Sequence, residues 1–91
     1  MKVIKRDGEV ENFEISKIKV SIMKASDDID EPLNKGDISS IGDIVEEFIK
    51  KNYRDSIKSS EIHDIVVNIL EKNAFKNIAK AYDRTYDKAI R

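Results

Sequence analysis

His63 is the only histidine in the chain, and there is no cysteine. A zinc site needs three or four nitrogen, sulfur or carboxylate ligands, which this inventory does not offer. A nucleophile, base and orienting acid cannot be assembled around one imidazole either. The acids Asp27, Asp28, Asp30, Glu31 and Asp37 cluster, but a calcium loop needs oxygen ligands at alternate positions and glycine at the sixth. Counting from Asp28, Pro32 and Leu33 fill the fifth and sixth places, so a solvated loop between helices is expected. A phosphate-binding P-loop needs four residues between its glycines and then Lys-Ser/Thr. Gly36 and Gly42 are separated by five, and Asp43 follows. No enzyme and no metal site is expected.

What remains is a concentration of charge near the start: Lys5-Arg6-Asp7-Gly8, then Glu11 and Lys17. A charged edge hairpin is the plain reading, since lysine there discourages sheet-to-sheet pairing. Lys17 argues for more, because a cation near a helix start opposes the helix dipole. A positive cluster beside free helix N–H groups suits an anion. Ser59-Ser60 begins another helix, with His63 one turn beyond Ser59. The two helix starts, with Lys5 and Arg6, are placed to converge on a phosphate chain.

These residues need elements to hold them. Val3-Ile4-Lys5 and Val10-Glu11-Asn12-Phe13 read as strands joined at Asp7-Gly8, so a hairpin spans residues 2–13. A two-residue type I′ turn would set Arg6 opposite Glu9 and Ile4 opposite Glu11. A lone hairpin is marginal in water and must lie against helices. With Ser16 as N-cap, Ile15, Ile18, Ile22, Ala25 and Ile29 place a helix over about 16–29, ended by Pro32. Asp37 is read as the cap of a second helix, about 37–52, with Ile38, Ile41, Val45, Phe48 and Ile49 inward. Ile57 marks a brief strand. Ser59-Ser60 is read as the cap of a third helix, about 60–72, whose Ile62, Ile65, Val66, Ile69 and Leu70 form one face. Phe75, Ile78, Ala79, Tyr82, Tyr86 and Ile90 form the stripe of a last helix, about 75–90. The fold class is therefore α+β, four helices behind a small sheet, over a single domain spanning 1–91.

Composition agrees with one small domain. The chain has 91 residues, 17 basic and 18 acidic, for a formal charge of -1. That balance lacks the basic excess of a general nucleic-acid binder. No apolar run is long enough to span a membrane, and charge arrives too early for a signal peptide, so a cytoplasmic location is expected.

Val3-Ile4-Lys5-Arg6-Asp7-Gly8, Glu11, Phe13, Lys17-Ile18, Ser59-Ser60-Glu61-Ile62-His63 and Ile78-Ala79-Lys80-Ala81-Tyr82, in this order, resemble the ATP-cone domain. That module regulates many ribonucleotide reductases and forms part of the zinc-ribbon repressor of their genes. The resemblance covers about residues 2–86. It implies a four-helix bundle capped by a three-stranded sheet, with ATP or dATP, accompanied where needed by Mg2+, between hairpin and helices. It implies that Lys5, Arg6 and Lys17 hold the phosphates, and that Val3, Phe13 and Ile18 enclose the base. It further implies that Glu11 accepts from the adenine amino group, that Ser59 lies near the phosphates, and that His63 meets the sugar. Two positions depart from the pattern. Glu14 stands where some cones carry Asn to help read the base. Asp83-Arg84-Thr85-Tyr86 follows Ala81-Tyr82, where cones often continue with an apolar residue and Tyr-Arg; the basic partner from this helix is then Arg84, Lys88 or Arg91, with Lys88 favoured.

The function expected is nucleotide-dependent control of a ribonucleotide reductase or a related regulatory protein, through conformation or self-association into a homo-oligomer, without catalysis. The chain reads either as a stand-alone cone or as a piece of a larger protein. The alternative is a helical DNA-binding or protein-interaction module without nucleotide binding, which the near-zero charge disfavours. A nucleotide hydrolase would reuse the same pocket but lacks an evident base beside the phosphates.

Overall fold

A computed structural model describes residues 1–90, with side chains described through Arg84. The expected inward positions Tyr86 and Ile90 and the expected phosphate ligand Lys88 have side chains outside that range, and Arg91 lies wholly outside the described residues.

Strand β1 (Lys2–Ile4) is followed by β2 (Val10–Asn12), α1 (Ile15–Asp28), α2 (Lys35–Asn52), β3 (Ser56–Lys58), α3 (Ser59–Lys72) and α4 (Lys76–Ile90). The sheet order is β2-β1-β3. β1 pairs antiparallel with β2 and parallel with β3, so Val3 lies between Glu11 and Ile57. This is the α+β architecture expected, with the brief strand at Ile57 in place.

The hairpin register differs from the expectation by one residue. Ile4 faces Val10 and Val3 faces Glu11. Lys5 N–H donates to the Glu9 carbonyl at 2.8 Å, leaving Arg6-Asp7-Gly8 as a three-residue loop. Only Gly8 takes a positive φ, 88°. A type I′ turn would need two such residues; a type I turn closed by one left-handed glycine needs only this one. The Asp7 Oδ1 accepts from Glu9 N–H at 3.0 Å and holds that loop.

The helix starts also correct the expectation. α1 begins at Ile15 with Glu14 as N-cap, and Ser16 is already inside the first turn. Phe13 N–H still donates to Met1 O at 3.0 Å, so sheet pairing runs to Phe13 and leaves one residue before the helix. α3 follows β3 without any linker: Lys58 is the N-cap and Ser59 the first helical residue. Neither start has a side-chain cap. α2 does, but from Asn34 instead of Asp37: the Asn34 Oδ1 accepts from Asp37 N–H at 2.7 Å.

Two helices end alike. After α1, Asp30 N–H reaches Asp27 O and Glu31 N–H reaches Ser26 O; after α3, Ala74 N–H reaches Glu71 O and Phe75 N–H reaches Leu70 O. These are Schellman closures, with Asp30 and Ala74 in the left-handed position usually given to glycine.

The helices pack in a ring, α1 on α2, α2 on α3, α3 on α4 and α4 on α1. Ile22, Val45, Ile49 and Val66 are fully excluded from solvent at its centre. Burying each such side chain contributes about 1.5–3 kcal/mol, the main force holding the thin core. Phe48, expected inward, is instead 46% exposed, on the flank of the buried stripe. At the sheet end, Val3 and Ile57 complete the core.

Candidate nucleotide-binding cleft

The sheet covers the ends of α1 and α3, and between them lies a cleft of about 200 Å³. Its apolar wall comes from Val3, Phe13, Ile18 and Ile62. Val3 is inward because it lies on the central strand, and Ile18 because it is three residues into the buried stripe of α1. Phe13, on the extended stretch leaving β2, is only half-buried, so its ring is available to a flat apolar ligand.

The polar rim is made by Glu11, Asn12, Glu14 and Lys17. One carboxylate oxygen of Glu11, Oε2, lies 3.7 Å from Lys5 Nζ and 3.7 Å from Lys17 Nζ. Lys17 Nζ also lies 3.4 Å from Glu14 Oε2. All four side chains are 36% or more exposed, and exposed pairs at these separations are worth about 0–1 kcal/mol. The lysines can therefore exchange a carboxylate for a stronger anion at little cost. Lys17 lies in the first turn of α1, beside N–H groups that no side chain caps. An anion drawn to Lys17 thus also meets the positive end of α1.

The far wall is formed by Ser59 at the open start of α3, by His63 one turn on, and by Tyr82 of α4. His63 is buried, with 5% of its surface exposed. Its Nε2 lies 2.6 Å from Asp83 Oδ1, and its ring stacks on Tyr82 with centroids 5.3 Å apart and planes 18° from parallel.

Of the residues singled out in the sequence, the structure brings Val3, Glu11, Phe13, Glu14, Lys17, Ile18, Ser59 and His63 around one cleft. Lys5 reaches it only through Glu11, and Arg6 lies in the exposed hairpin turn. Asn12, Ile62 and Tyr82 also line the cleft, though nothing in the sequence marks them as site residues: Ile62 and Tyr82 look like ordinary core positions in a helical stripe.

The donor set fits an adenine nucleotide. Apolar side chains line one wall, a carboxylate offers an acceptor, and Lys17 with an uncapped helix start supplies positive charge at the rim. The cleft is smaller than the roughly 300–1,000 Å³ that drug-sized ligands occupy, so a larger ligand would extend past its rim. No group of three or more metal-ligating side chains occurs among the described residues. Among the described residues, no helix is long and apolar enough to cross a membrane.

No curated protein matches the chain. The family model of the ATP cone domain matches residues 1–88, and the chain belongs to that family.

Proposed function

We propose that this ATP cone binds ATP or dATP in the cleft between the hairpin and the starts of α1 and α3, and thereby controls a ribonucleotide reductase or a related regulatory protein. The family is one of nucleotide-binding regulatory domains that are not themselves catalytic. The observation that carries the proposal is the convergence, on one cleft of a chain matching that family over residues 1–88, of an apolar slot, the Glu11 carboxylate and Lys17.

In this reading, Val3, Phe13 and Ile18 enclose the adenine, and Glu11 accepts from its exocyclic amino group. Guanine presents a carbonyl there and would leave the carboxylate facing an acceptor. Lys17 and Lys5 turn from Glu11 and Glu14 toward the phosphates, with Arg6 reaching them from the turn. Ser59 lies near the phosphates, and His63 faces the sugar. Mg2+ enters, if needed, on the phosphates. Regulation follows from differential binding: whichever arrangement of helices or self-association the nucleotide favours is the one a partner reads, and a ligand with equal affinity for both would switch nothing.

The test is calorimetric titration and thermal melting with ATP, dATP, GTP and duplex DNA, with size-exclusion chromatography in parallel. Ligand at 100 times its Kd adds about 2.7 kcal/mol of stability. The expected result is a shift with ATP or dATP and little with GTP. A shift with DNA alone would replace this reading by the DNA-binding one.

A further inference from the structure

One oxygen of Glu11 holds two cations at once. Oε2 lies 3.7 Å from Lys5 Nζ, on the facing limb of the hairpin, and 3.7 Å from Lys17 Nζ, in the first turn of α1. Lys17 also leans on Glu14, at 3.4 Å. In the bound state the same side chains have separate duties, because the carboxylate reads the base while the lysines hold the phosphates. Without a ligand they serve each other instead.

That arrangement leaves Glu11 a poor judge of bases. A bare carboxylate at neutral pH only accepts hydrogen bonds, so it attracts an amino group and repels a carbonyl. A carboxylate with two ammonium groups beside it presents donors as well. A carbonyl on the base can then face a lysine, and little is lost by the exchange. Phosphates change this, since they carry more charge than one carboxylate and the ion pairs they must break are exposed and weak. Lys5 and Lys17 are 46% and 59% exposed, so both are free to move.

We propose that the phosphates of the nucleotide switch on base selection: by drawing Lys5 and Lys17 away from Glu11, they turn a neutralised carboxylate into one that accepts an amino group and rejects a carbonyl. The proposal rests on the nucleotide reading of the cleft and adds to it a coupling between its two ends. Each exposed lysine contact is worth at most about fivefold in an equilibrium, so the preference for adenine should grow by roughly five- to twentyfold once phosphates are attached.

The test compares ATP with inosine triphosphate, and adenosine with inosine. Inosine carries a carbonyl and a ring N–H where adenosine has its amino group and a bare ring nitrogen, and is otherwise the same. Triphosphates are titrated by calorimetry and nucleosides by chemical-shift changes at millimolar concentration. In the wild type, ATP is expected to be preferred over inosine triphosphate by roughly five- to twentyfold more than adenosine is preferred over inosine. In Lys5→Ala/Lys17→Ala, ATP binding weakens, yet the preference for adenosine over inosine rises toward the value that the wild type shows for triphosphates. Lys17→Ala alone gives part of that rise. Independent base and phosphate sites would leave the nucleoside preference where it was. Glu11→Gln, whose amide can donate or accept, is expected to flatten the preference at both levels. Melting curves confirm that each variant folds.

Equal preferences for nucleosides and triphosphates in the wild type would overturn the proposal. So would a double variant that treats adenosine and inosine alike, binding by neither included. Failure of ATP to bind the wild type would overturn the reading of the cleft as well, whereas ATP binding with equal preferences would overturn the coupling alone.

Discussion

The start of α2 and the starts of α1 and α3 solve the same problem in opposite ways. Every helix leaves its first N–H groups without partners inside the helix. At α2 the side chain of Asn34 accepts from Asp37 N–H, and Asp37 adds negative charge to the first turn. At α1 and α3 no side chain caps the backbone; α3 carries Glu61 in its first turn, while α1 carries Lys17 there, paired with Glu14 at the cap position and with Glu11. The closed start faces solvent, far along the chain from the cleft residues. Both open starts border the cleft through Glu14, Lys17 and Ser59. On the proposed reading, the difference marks where the molecule gives up a local cap at the positions that would receive the nucleotide's phosphates.

If that division is right, the two regions respond differently to substitution. The largest effect on stability belongs to the ring core. Ile22→Ala, at a site with no exposed surface, should cost about 2–5 kcal/mol in urea unfolding, a large part of what a small domain has. A loss under 1 kcal/mol would mean that the packing around Ile22 is not as described.

Next comes the cap contrast. Asn34→Ala should cost about 0.5–2 kcal/mol. Ser59→Ala, which removes no cap, should change stability by less than about 0.5 kcal/mol while weakening ATP binding. Equal losses at the two positions would erase the distinction between closed and open starts.

The smallest effect lies where the two regions join. Tyr53, just after α2, donates to Glu61 Oε2 in the first turn of α3 at 2.6 Å. That hydrogen bond, then burial, then the Glu61 charge raise the Tyr53 pKa above its ordinary value. Folding thus favours the protonated phenol. The contribution is whole below the unfolded pKa near 10 and is lost as pH rises through the higher folded value. Melting of Tyr53→Phe against wild type should show a gap at neutral pH that closes on the alkaline side; a gap that widens there would contradict the sign.

Much of this fold was legible in the sequence, because hydrophobic period and turn residues act locally. The 3.6-residue stripes located all four helices, and Ile57 located the third strand. Where local preference competed with the sheet, the sheet won. Ser16 and Ser59-Ser60 are good caps by type, yet pairing of Phe13 with Met1 and of β3 with β1 sets where α1 and α3 begin. The Asp7-Gly8 pair suggested a two-residue turn, but only Gly8 takes the left-handed conformation, and the register moved by one.

The cleft divided in the same manner. Its hairpin side was readable, since Val3, Glu11, Phe13, Lys17 and Ile18 are close in sequence and their types suggest a base and an anion. The α4 side was not. Tyr82 and Asp83 meet His63 across some 20 positions through helix packing, and Tyr82 follows the same period as the core residues around it. No local signal separates a tyrosine that fills a core from one that braces a histidine.

The central claim, that the open starts and the hairpin form an adenine-nucleotide site, is tested most directly by calorimetric titration of ATP into wild type and Lys17→Ala. Lys17 is 59% exposed, so its removal should leave melting unchanged. Losing a charge-assisted contact worth about 1.5–3 kcal/mol should weaken ATP binding by roughly ten- to a hundredfold. No binding to the wild type, or equal binding to both proteins, would contradict the account.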